Sequence, residues 1–136
     1  MVRRFIDTNI FVYHIAGDHS DFSPRCTALM ELIEAGEIEA VTSVTAVDET
    51  MWVLTRAFGY SRQQAAEQVS TLVSQPEITI DYRQAVLEAI DFWVIHGALS
   101  FVDCYHLALT KELGMTQIYT FDKKMDRYPG VERIEP

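Results

Sequence analysis

The chain has 136 residues, 49% of them hydrophobic and 23% charged, as expected of one soluble globular domain spanning 1–136 rather than a low-complexity or fibrous chain. Twenty acidic against eleven basic residues leave a net charge of −9. That argues against a general nucleic-acid coat protein but not against an enzyme whose carboxylates hold cations that meet phosphate. No apolar run approaches the about 20 residues that cross a bilayer, and the segment after Met1-Val2-Arg3-Arg4 is too short for a secretion signal. The expected setting is the cytoplasm, with Cys26 and Cys104, which lack metal-type spacing, buried as small hydrophobes.

In chain order, a β-branched and aromatic run from Val2 ends abruptly at Asp7, and a helical pattern follows over residues 10–16. Thr8 and Asn9 are capping residues at that junction. After a polar loop at 17–21, Ser23-Pro24 predicts the N-cap and first position of a helix over 24–35, stopped by Gly36. Residues 38–42 read as a strand. Val44, Val47, Met51, Leu54 and Phe58 recur at steps of three and four, which predicts a helix with a continuous core stripe. Gly59 ends it, and Ser61-Arg62-Gln63-Gln64 is a capping box opening a second helix of an antiparallel pair. Residues 78–80 read as a short strand, and Asp81-Tyr82-Arg83-Gln84 as a capping-box-like start to a helix reaching His96. Ser100 caps a further helix through Leu113, residues 117–121 form a strand ending at Asp122, and 131–134 form the last strand. Alternating strands and helices predict a three-layer α/β/α architecture around a central parallel sheet of about five strands.

Four acids then stand out. Asp7 and Asp122 directly follow apolar strands, at the carboxyl edge where open α/β sheets bind ligands; Asp7 also suits a turn. Glu49 sits one turn into its helix among Ala46, Trp52 and Val53, a costly place for an unpaired charge unless that face is solvated. Asp103 fits a capping box with Ser100. Together, like charges this close resist folding unless a cation enters, and Mg²⁺ or Mn²⁺ is held by few carboxylates because it keeps several waters.

Phe5-Ile6-Asp7-Thr8-Asn9, the Glu49 segment Val47-Asp48-Glu49-Thr50-Met51-Trp52, Phe101-Val102-Asp103-Cys104-Tyr105-His106 and Tyr119-Thr120-Phe121-Asp122-Lys123-Lys124 resemble, in order and spacing, the acidic motifs of PIN-domain ribonucleases. The similarity spans essentially the whole chain and points to the VapC-type toxins of toxin–antitoxin operons. It implies a PIN-like fold and a Mg²⁺- or Mn²⁺-dependent RNA endonuclease, usually a homodimer, held inactive by a small antitoxin. Carried over residue by residue, Asp7, Glu49, Asp103 and Asp122 are the catalytic acids. Asp7 and Asp103 are the direct metal ligands, with Asn9 and Thr120 in support. Lys123 and Lys124 are possible RNA contacts, or simply a solvated loop. Asp48 beside Glu49, and Asp126 four residues after Asp122, are further acids to place. Two rivals remain: a phosphoacceptor module, which needs an acidic pair where Asp7-Thr8-Asn9 has one acid, and an inactive relative that only binds its partner.

Overall fold

The computed structural model describes residues 2–136. The chain divides after Asp81 into two compact units.

The first unit is built on a parallel sheet. Strand β1 (Val2–Phe5) is followed by helices α1 (Thr8–Ala16) and α2 (Phe22–Glu34), then β2 (Ile38–Val41), α3 (Val44–Ala57), α4 (Arg62–Val73) and β3 (Ile78–Thr79). The strands pair in the order β1-β2-β3, with Val2 opposite Ile38 and Ala40 opposite Ile78. Parallel neighbours need a crossover, and each helix pair supplies one. Ile6, Phe11, Met30, Ile33, Ala40, Leu72 and Ile78 bury one continuous core between sheet and helices. The expected stripe of α3 is there: Val47, Met51 and Leu54 are buried. The expected Ser61–Gln64 capping box forms in full.

Two helix starts in this unit differ from expectation. Helix α1 begins at Thr8 rather than residue 10, because Asp7 itself is the N-cap. Helix α2 begins at Phe22, ahead of the expected Ser23-Pro24 cap. Pro24 is tolerated within that first turn, where its missing N–H would have had no intrahelical partner. The amides of Asp21 and Phe22 instead donate to Nδ1 of His19, at 3.2 and 2.9 Å.

The second unit comprises α5 (Arg83–Ile95), α6 (Phe101–Glu112), β4 (Gln117–Tyr119), a 3₁₀ turn at Lys123–Arg127 and β5 (Glu132–Ile134). Helices α5 and α6 pack on each other, and Ala85, Ala89 and Ala108 are buried there with Ile90 and Leu107. Strands β4 and β5 pair in parallel, Gln117 opposite Glu132. The capping box expected at Asp81 does not form: Tyr82 is the N-cap, in left-handed backbone at φ 55°, without a side-chain cap bond.

The expected single sheet of about five strands needs correction. Among the described residues five strands are found and all pair in parallel, but their hydrogen bonds make one sheet of three and another of two. Alternation dictates strand direction, because every link is a crossover; which strands share hydrogen bonds is decided by long-range contacts that no local pattern encodes. Both cysteines are buried, and neither is in a disulfide among the described residues. Among the described residues, no helix is long and apolar enough to cross a membrane.

Candidate active site

In the first unit the end of β1 is tied down on both sides of its last peptide. The Ile6 amide donates to the Val41 carbonyl at 2.8 Å, and the Thr42 hydroxyl donates to the Ile6 carbonyl at 3.0 Å. This fixes the backbone from which Asp7 projects. Oδ1 of Asp7 accepts the Thr8 amide at 2.8 Å and so opens α1. Oδ2 has no partner among the described residues.

Helix α1 packs against α3. Asp7 and Asn9 from the start of α1, and Glu49 from the second turn of α3, line one cavity of about 280 Å³ whose apolar wall is Val12, Tyr13, Val53 and Phe58. Glu49 is exposed to it. Asp48, one residue earlier, does not line the cavity; it is half-buried, and burial, then the Glu49 charge, push its carboxyl above the usual carboxylate range.

The second unit holds the other two acids, each as a cap. Asp103 Oδ2 accepts the Ser100 amide at 3.3 Å while the Ser100 hydroxyl accepts the Asp103 amide at 3.1 Å, a complete capping box. Asp122 accepts the Lys124 amide on Oδ1 at 3.0 Å and is itself held by Thr120, whose hydroxyl accepts the Asp122 amide at 3.1 Å. Lys123 and Lys124 follow, both exposed. Asp126 does not extend this set: it pairs with Arg133 at 2.9 Å, and Glu135 approaches the same guanidinium at 3.5 Å.

A family model described as the PIN domain matches residues 4–131. The chain belongs to the PIN-domain family. Among solved structures, it is similar to the crystal structure of Mycobacterium tuberculosis VapC20, described as a Sarcin-Ricin loop cleaving toxin. Identity is 21% over 97% of this chain and 98% of that one, with a TM-score of 0.44. No curated protein matches it.

In this PIN domain, then, the first unit brings Asp7, Asn9 and Glu49 to one cavity, and the second holds Asp103 and Asp122 as caps with Thr120 beside Asp122. Among the described residues no three His, Cys, Asp or Glu side chains are grouped to hold a metal ion. The residues that sequence reasoning passed over are aromatic. Tyr13 lines the acid cavity and also a second one, of about 430 Å³, with Asn9, Ile10, Phe22, Arg25, Cys26 and Leu29. Its signal was present in the spacing: Tyr13 is one turn after Asn9, on the same face of α1.

Proposed function

We propose that this PIN domain is a metal-dependent endoribonuclease that hydrolyses RNA phosphodiester bonds, acting as the toxin of a toxin–antitoxin pair and checked by a small antitoxin. The observation that carries the reading is the cavity shared by Asp7, Asn9 and Glu49 at the carboxyl end of β1. Its polar donors are carboxylate and amide oxygens, which is what a hard cation such as Mg²⁺ or Mn²⁺ takes. Oδ2 of Asp7 and the carboxylate of Glu49, both without a partner among the described residues, fit that group. Bound there, the cation would supply Lewis acidity toward phosphate oxygens and make water a better nucleophile.

The chain's own residues have the remaining roles. Asp7 is rigid, because its cap bond fixes the carboxylate to the start of α1. Asn9, two residues on, presents an amide that can orient a water or a phosphate oxygen. Asp103 and Asp122 are proposed for the same chemistry by the family resemblance, with Asp103 a ligand, Thr120 holding Asp122, and Lys123 and Lys124 meeting RNA phosphates.

Single-stranded RNA incubated with the protein tests this. Cleavage is expected with Mg²⁺ or Mn²⁺ and none with EDTA. Asp7→Asn and Glu49→Gln should each slow it by about a hundredfold or more, equivalent to about 2.7 kcal/mol, whereas Asp48→Asn should cleave normally. Full activity of Asp7→Asn in metal-replete buffer overturns the reading. Loss in Asp48→Asn alone moves the middle acid by one residue.

A further inference from the structure

The second cavity in the first unit has a wall unlike the rest of the surface. Phe22 lies flat against His19, ring centroids 4.1 Å apart and planes 6° from parallel. Tyr13 stands edge-on to both, at 5.4 Å from His19 and 5.3 Å from Phe22. The Arg25 guanidinium is 5.8 Å from the Phe22 centroid. Phe22, Tyr13 and Arg25 line the cavity and His19 does not, so His19 backs the aromatic wall while Phe22 presents to the opening.

We infer that this cavity is a stacking subsite for one base of a single-stranded RNA, adjoining the place where its backbone is cut; the inference rests on the nuclease reading. Three observations support a nucleotide over an apolar protein segment. The stack is prefabricated: Nδ1 of His19 accepts two backbone amides, which fixes the imidazole and, through it, Phe22. A wall ordered beforehand binds without losing side-chain freedom, and a flat ring presents the same π-face to any base. The cation is movable: among the described residues the one ion pair of Arg25 is with exposed Asp21, at 3.3 Å. Such i,i+4 surface pairs are weak, so the guanidinium is free to cover a base or meet a phosphate. The position is continuous with the acids, because Asn9 and Tyr13 line both cavities. At about 430 Å³ the space suits a base with its sugar.

The test is fluorescence anisotropy with three end-labelled probes in EDTA: an eight-nucleotide oligoadenylate, an abasic ribose-phosphate oligomer of equal length, and an amphipathic Leu- and Phe-rich helical peptide. The parent should prefer oligoadenylate to the abasic oligomer. Phe22→Leu, which keeps apolar bulk and loses the ring, should weaken oligoadenylate binding by about 5- to 150-fold, the span of one base–aromatic stack. It should leave abasic binding unchanged, and Phe22→Trp should restore the parent affinity. Tyr13→Leu provides a second variant should Phe22→Leu fold poorly, and is expected to weaken oligoadenylate in the same selective way. Equal affinity of parent and Phe22→Leu for oligoadenylate overturns the inference. So does equal parent affinity for the two oligomers, or a Phe22 dependence confined to the peptide. The two readings fail separately. A parent that binds through Phe22 but never cuts RNA defeats the nuclease reading alone. A parent that cuts while Phe22→Leu cuts with unchanged KM defeats only the subsite.

Discussion

Asp7 illustrates how one side chain carries two duties. One oxygen caps α1 and the residue also lines the cavity, so the turn-making and ligand-holding readings of the sequence are compatible. Asparagine is as good an N-cap as aspartate, so Asp7→Asn should remove the charge while leaving α1 intact, and a loss of cleavage would not reflect unfolding. His14 is the residue whose titration should be visible in stability. Its Nδ1 lies 2.9 Å from the Thr27 hydroxyl, and burial lowers its pKa from the ordinary 6.5. The folded protein thus favours the neutral ring, and below 6.5 the unfolded chain takes up the proton first. Stability present above that pH should decline as pH falls from it toward the lower folded value. Thermal melts from about pH 7.5 to 5.5 should show a steeper decline for the parent than for His14→Gln. Equal slopes would mean that another group dominates.

At the scale of elements, helix α6 poses the question most sharply, because its Ser100–Asp103 capping box is complete. Asp103→Ala in EDTA should lose about 0.5–2 kcal/mol, the usual cost of a lost cap. If Asp103 also holds the proposed cation, Mg²⁺ at about a hundredfold over its Kd should stabilise the parent by about 2.7 kcal/mol and Asp103→Ala far less. Equal Mg²⁺ increments in the two proteins would limit Asp103 to its cap. Helices were the legible part of this fold. Val47, Met51 and Leu54 announce α3 by spacing, and Ser61 with Gln64 announces α4 by chemistry. The start of α2 was illegible for a physical reason: its leading amides bond to an imidazole from His19, a residue type not among the usual caps. The start of α5 was hidden likewise, by a left-handed tyrosine where Asp81 advertised a cap.

For the whole molecule, the order of strands and helices could be read from the chain, and with it the parallel pairing. The split into sheets of three and two could not, because each ladder joins residues well separated in the chain, as with Arg3 and Glu39 or Gln117 and Glu132. Of the site, strand-end Asp7 was readable from its junction. The choice of Glu49 over Asp48 came from the family resemblance; in the structure Glu49, and not Asp48, lines the cavity with Asp7. For the homodimer that the family resemblance implies, α3 offers a surface to test. Trp52 is 61% exposed, and large exposed aromatics are typical of interfaces. The proposed homodimer should sediment as such at about 30 μM, within the range of ordinary affinities, and Trp52→Asp should shift it toward monomer. A strict monomer for the parent at that concentration would count against self-association through α3.

Cys26 turns the aromatic cavity into something that can be timed. Its thiol is 6% exposed on the wall beside Phe22 and Arg25, whereas Cys104 is 0% exposed. Burial pushes the Cys26 thiol above its ordinary range, with Arg25 opposing in part, so little of the reactive thiolate is present near neutral pH. A maleimide or disulfide reagent should therefore label one cysteine slowly in the native protein and both quickly in denaturant. The slow rate then becomes a clock for the breathing of α1 against α2, read without any substrate, and oligoadenylate seated on Phe22 should slow it further.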